Sequence, residues 1–192
     1  MSFLLLGLLL FLGTHSIRIF ADDWRTRQYA RLGEQRWKGL YSIVALGGFV
    51  LLVWGYGQTR VAPVDLWNPP VWTRHLAALL MLPAFILLVA AYVPGNRIKA
   101  AVAHPMVAGT KLWAFAHLIA NGRLGDLALF GAFLAWAVMS FIAARKRDRL
   151  AGTRYPVHGA GRDAAVLIVG LLGWVAFTFW GHAWLIGVAP FG

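Results

Sequence analysis

The sequence predicts an all-α fold: an integral membrane bundle of about six transmembrane helices with both termini outside. Three observations predict it. Hydrophobic residues fill 60% of the 192 positions and charged residues only 13%, about half the charged share of an ordinary soluble domain. The apolar residues fall in long runs. The basic residues collect between alternate runs. A bilayer accommodates this pattern because apolar side chains can face lipid there.

A helix needs about 20 mostly apolar residues to cross the hydrocarbon core. Clear runs cover residues 2–17, 39–56, 75–93, 127–144 and 164–184. A weaker one covers 105–121 and carries Lys111 and His117. No basic residue precedes Arg18, so the first run lacks the charged start of a secretory signal and is expected to be a retained helix.

Charge sorts the loops. Arg18, Arg25, Arg27, Arg31, Arg36 and Lys38 lie between the first two spans, Arg97 and Lys99 follow the third, and Arg145, Lys146, Arg147, Arg149, Arg154 and Arg162 lie between the last two. The alternate loops hold only Arg60, Arg74 and Arg123. By the positive-inside rule the three basic loops are cytoplasmic. The net charge of +11 is thus a matter of membrane orientation, and nucleic acid is not an expected partner. Juxtamembrane clusters of this kind can also hold anionic lipid. The second loop is rich in Pro, Gly and Trp, and Trp67 and Trp72 suit the outer headgroup level.

Cysteine is absent, which excludes disulfides and thiolate chemistry. The seven carboxylates all fall in loops or at span ends. With no intramembrane carboxylate pair, a carboxylate proton relay and a glycosidase-type dyad are not expected. Histidine is the remaining chemistry. His158 belongs to a basic loop, whereas His15, His75, His104, His117 and His182 lie in spans or at their ends. Neutral imidazoles can pack in a bundle when hydrogen bonded, and they can bind haem iron, zinc or copper. Topology places His75 and His182 outside and His15 and His104 inside. His117 is ambiguous. If Lys111 marks the inner boundary, His117 lies about 9 Å deep and His15 about 4–5 Å, and both could ligate one iron. If the span starts at Pro105, His117 approaches the outer half, nearer His75 and His182.

The segment HPMVAGTKLWAFAHLIANG at 104–122 resembles the signature of the NnrU family, and GTHSIRIF at 13–20, RWKGLYSIV at 36–44 and HAWLIGV at 182–188 also fit it. The resemblance covers essentially the whole chain, as one NnrU-like transmembrane domain over 1–192. It implies a multi-pass protein of the bacterial inner membrane, linked to denitrification and nitric oxide. It also implies a link to the 15-cis-zeta-carotene isomerases, haem b enzymes that isomerise a hydrophobic polyene without net redox change. On that resemblance haem b is the cofactor and His15 and His117 are its axial ligands, with His75 and His182 as alternatives and His104 nearby. Arg18 and Lys111 would meet the propionates, and Tyr41 and Trp113 would line the pocket.

A more distant likeness is to isoprenylcysteine carboxyl methyltransferases, whose R-H-P-x-Y-x-G motif here begins Ala103-His104-Pro105 and has Val107 at the Tyr position. The missing Arg and Tyr, and a basic 145–155 segment without paired glutamates, argue against methyl transfer with S-adenosylmethionine. A non-enzymatic assembly or accessory factor of the membrane is the further alternative. The sequence carries no signal of oligomeric state.

Overall fold

A computed structural model describes residues 1–191. The helices are α1 (Ser2–Phe20), α2 (Asp22–Leu32), α3 (Glu34–Val61), α4 (Val71–Tyr92), α5 (Arg97–Val102), α6 (Pro105–Ala120), α7 (Leu124–Ala151), α8 (Ala160–Ala176) and α9 (His182–Ile186). A π-helical turn, Phe177–Gly181, joins the last two. Among the described residues the only extended pairing is one antiparallel bridge, Asp65 with Arg123.

Among the described residues five helices are long and apolar enough to cross a membrane: α1, α3, α4, α7 and the continuous stretch Ala160–Ile186. The sixth, α6, has 16 residues and reaches about 24 Å at helical rise. Its two ends lie at opposite ends of the bundle. At its start, His104 Nε2 lies 2.8 Å from Asp148 Oδ2 near the end of α7. At its finish, the Gly122 carbonyl accepts from Leu66 N–H and Trp67 N–H, and Leu124 N–H donates to Val64 O. The α6–α7 turn is therefore hydrogen bonded to the α3–α4 loop, and the chain passes back and forth six times.

The same ladder of contacts gathers the basic loops at one end. Arg147 donates to the Arg18 carbonyl, Arg97 pairs with Asp163 at 3.4 Å, and His158 N–H donates to Gly95 O. At the far end Arg123 pairs with Asp65 at 3.5 Å, and Arg60 donates to Ile186 O at 2.7 Å.

Leu4, Leu8 and Leu12 form one stripe of α1 and are buried with Leu52, Leu129 and Phe130. The α1–α3 seam is unusually close. A Cβ on Gly7 would collide with the backbone of Leu52, and one on Gly55 with the backbone of Leu4. This is the small-residue packing that lets helix backbones approach in lipid, where no hydrophobic drive pulls them together. On the other side α8 leans on α4, with Trp174 Nε1–H donating to Ala78 O. Its outer face leaves Leu167, Ile168, Leu171 and Leu172 exposed, which suits lipid and not water. The protein is a multi-pass membrane protein.

Helix α2 differs from the rest. It buries no residue and carries Asp22 and Asp23 in its first turn and Arg31 in its last, charges that complement the helix dipole. Gly33, with φ 78°, takes the left-handed conformation that turns the chain from α2 into α3. Trp24 meets Trp37 edge-on at 5.8 Å and ties α2 to α3 at the basic end.

Candidate functional site

Helix α6 starts where the sequence leaves room for it. Pro105 occupies its first turn, where a missing N–H costs nothing. Lys111 lies inside the helix, with its ammonium 3.7 Å from the centre of the Phe141 ring. An aromatic face can hold such a charge, and the same ring meets His104 edge-on at 6.2 Å, so the ammonium reaches back toward the basic end. The helix runs from Pro105, and His117 accordingly sits in the far half of the bundle.

Three imidazoles share one hydrogen-bond pattern. His15 Nδ1 lies 2.7 Å from Phe11 O, His117 Nδ1 lies 2.8 Å from Trp113 O, and His182 Nδ1 lies 2.6 Å from Val188 O. A carbonyl oxygen only accepts, so Nδ1 carries the proton in each. In the neutral ring Nε2 then keeps its lone pair. Metal-ligating histidines are commonly prepared this way.

Their neighbours separate them. His117 stacks on Phe130 at 4.7 Å, contacts Trp113 at 5.5 Å and faces His182 at 6.3 Å between ring centres with planes 23° apart. His15 instead contacts Phe11 at 4.3 Å, Tyr41 at 5.5 Å and Trp136 at 6.1 Å. Phe130 and Trp136 are six residues apart on α7, which is about 9 Å along the helix. Between them Phe133 touches both Phe11 and Trp113. The structure therefore joins His117 to His182 and keeps His15 at another level. His15 lies beside Trp136 and His117 beside Phe130, so the common depth expected for those two rings is not what this structure shows.

The other expected site residues are spread out. His104 is held by Asp148, and Tyr155 donates to the same Asp148 oxygen at 2.9 Å. His104 thus closes the basic end of α6 and α7, thirteen residues from His117 and about 20 Å away along the helix. Burial and the Asp148 carboxylate push the Tyr155 phenol above its ordinary range. His75 stacks on Phe191 at 5.8 Å. Trp113 packs against Phe130 and Phe133 in the aromatic core. Arg18 and Tyr41 line a cavity at the basic end with His15.

Two features escaped the sequence reading. Asp126, expected at a span end, is only 4% exposed and accepts from the Tyr56 hydroxyl at 2.6 Å. It stands in the first turn of α7, where the helix dipole favours a carboxylate, and one turn from Phe130. The π turn before His182 is the second. Such turns frequently mark functional positions in helices, and no residue pattern announces them.

Among the described residues no group of three or more His, Asp or Glu side chains comes together to hold a metal ion. A bare zinc or copper ion, which draws three or four ligands from protein, is poorly served by His117 and His182 alone. Haem iron brings four in-plane nitrogens of its own and asks for one or two axial ligands. Two imidazoles on one metal, with metal–nitrogen bonds of about 2.0–2.1 Å, have ring centres roughly 6 Å apart. Two imidazoles are fewer ligands than a free ion draws from protein, and His117 and His182 would be the residues to hold a haem iron here.

The NnrU protein family model matches residues 3–190. The chain belongs to the NnrU family. The match takes in every span of this NnrU protein, from α1 through α9, so the histidines of all these helices lie within the family domain. No curated protein and no solved structure matches the chain.

Proposed function

We propose that this NnrU protein is a haem b protein of the bacterial inner membrane, with His117 and His182 as axial ligands. The observation that carries the reading is the pairing of those rings at 6.3 Å, each with Nδ1–H held by a backbone carbonyl. His117 is fixed by its helix, by the Trp113 carbonyl and by the face of Phe130. His182 is fixed by the π turn before it and the Val188 carbonyl after it. Phe177, 5.7 Å from His182, and Phe130, stacked on His117, supply apolar faces beside the pair. Arg60, bonded to α9 through Ile186 O, places a cation at the same end, where a propionate would need one; Arg18 and Lys111 serve other surroundings. A haem so held supplies an iron centre, and the family resemblance connects it to nitric oxide metabolism or to cis–trans isomerisation of a hydrophobic polyene.

The test is a pyridine haemochrome assay on the full chain purified after haem-supplemented expression. Wild type and His15→Ala are expected to hold haem b, and His117→Ala and His182→Ala to lose it. Loss in His15→Ala with retention in His182→Ala would return the ligand pair to His15 and His117. Well-folded wild type without haem would leave a non-enzymatic membrane factor with structural histidines.

A further inference from the structure

Where α1, α2, α3 and α7 meet at the basic end, the structure leaves a half-open cavity of about 320 Å³. Four of its lining side chains are cations: Arg18, Arg25, Lys38 and Arg147. Tyr29, Tyr41 and Ser140 add hydroxyls to the lining, and His15 lines it too, with Thr14 and Ile17. The acids nearby are outnumbered. Asp22 lies 3.9 Å from both Arg18 and Arg25, Glu34 pairs with Lys38, and neither carboxylate lines the cavity.

The level of this cavity follows from the sequence. Arg18 directly follows the apolar run of α1, Lys38 directly precedes that of α3, and Arg147 lies three residues past the run of α7 at Ala144. Three spans thus end in cations that converge at one headgroup level. Helix α2, clamped by Trp24 against Trp37, roofs them with Arg25. Arg147 also donates to the Arg18 carbonyl at 3.1 Å, which draws two like charges to one wall. Like charges gathered this way repel; Asp22 offsets part of that repulsion, and the remaining excess of cations favours a further anion between them. Arginine forks with hydroxyl donors suit the several oxygens of a phosphate, which a single ammonium serves less well.

We propose that this cavity binds a phosphate group at the inner face of the membrane, with Arg18 and Arg147 as its principal contacts. The group belongs to an anionic lipid or to a free phosphate compound, and the chemistry of recognition is the same. The site lies at the opposite end of the bundle from His117 and His182 and does not depend on them.

The experiment uses the full chain in detergent and follows binding by native mass spectrometry. The probes are phosphatidylglycerol, phosphatidylcholine as the zwitterionic control, and inorganic pyrophosphate. Wild type is expected to take one phosphatidylglycerol tightly. Arg18→Gln/Arg147→Gln is expected to weaken it more than about tenfold, since each basic group near the surface is worth about one factor of five in affinity. The charge-conserving Arg18→Lys/Arg147→Lys should recover part of that loss, the remainder being the arginine fork, which separates misfolding from lost charge. Arg149→Gln/Arg154→Gln removes the same charge from the other basic cavity, which these two residues line, and should change binding less than about twofold.

Displacement of the lipid by pyrophosphate supports the site and identifies a free phosphate compound as able to enter it. Lipid binding that pyrophosphate leaves unmoved supports the site as a headgroup site. Equal weakening in the two Gln double variants would reduce the effect to a diffuse field and overturn the proposal. Equal uptake of the two lipids, with no pyrophosphate bound, overturns it too. If Arg18→Gln/Arg147→Gln loses haem along with lipid, the cavity is part of the haem site and the separate phosphate site is refuted.

Discussion

His15 and His117 begin as near twins. Each sits on a spanning helix, each donates Nδ1–H to the carbonyl four residues back, and each lies against a phenylalanine. What divides them is depth. His15 looks toward a cationic cavity at the basic end, whereas His117 looks toward a second imidazole in the far half. The same side chain prepared in the same way therefore has two different prospects: beside an anion site in one region, and as half of a ligand pair in the other. Residue type and local hydrogen bonding are shared, so neither can decide function; the level at which each helix presents the ring does.

If the two regions are separate devices, breaking one should spare the other. The largest effect is expected at the α1–α3 seam. Gly7→Leu places a side chain where the backbone of Leu52 now lies, and overpacking there should cost more than about 3 kcal/mol because neither helix backbone can yield. The thermal midpoint should fall steeply and phosphatidylglycerol binding should be lost, since α1 and α3 form the cavity. Haem per folded chain should fall less than lipid binding does, because the seam reaches His117 only indirectly, through the packing of Phe130 and Trp113 on the Leu4–Leu8–Leu12 stripe. Simultaneous loss of haem in the surviving folded fraction would mean that the regions are coupled.

A smaller effect is expected from Tyr56→Phe. The phenol is the hydrogen-bond donor to Asp126, a carboxylate that is almost wholly buried. Its loss should cost about 1.5–3 kcal/mol, the range for a bond to a charged group. Because Asp126 lies one turn from Phe130, which backs His117, the change should also shift the absorbance of a haem at that site. The basic-end cavity should not respond. A phosphatidylglycerol affinity that falls as far as stability does would contradict the division.

The sequence makes the fold legible through alternation of charge. Six basic loop residues before Gly39 and six from Arg145 to Arg162 place the turns at one end, and the hydrogen bonds between Gly122 and the Leu66–Trp67 amides agree with that count. Even the short α6 is readable as a crossing, because the loops on either side of it need one. The depth of His117 is not readable in the same way. Hydropathy treats Lys111 as a charge seeking water, whereas in the fold Phe141, thirty residues on, covers its ammonium. The pairing of His117 with His182 likewise spans 65 residues and depends on a π turn with no sequence signature. Asp126 is a third case: its position at a helix start reads as a solvated end, and only the packing of α3 on α7 buries it under Tyr56.

The gentlest perturbation lies at the clasp that closes the basic end, where Asp148 joins His104 and Tyr155. Burial first, and then the hydrogen bond to Asp148, raise the Tyr155 phenol above its ordinary value of 10.0. A group whose pKa is raised on folding contributes stability in full below its unfolded value and loses it as pH rises through the folded one. The clasp is therefore intact at neutral pH and loosens only above about pH 10, the reference value for a free phenol. Tyr155→Phe should cost about 1 kcal/mol or less at pH 7, as for a partly exposed hydrogen bond, and should flatten the alkaline fall in thermal midpoint between pH 9 and 11. The far half should keep its haem across that range in both proteins if the clasp serves only the basic end. An alkaline transition of equal size in Tyr155→Phe would assign the effect to another group, and haem loss tracking the clasp would show that the level of His117 is set from thirteen residues below it.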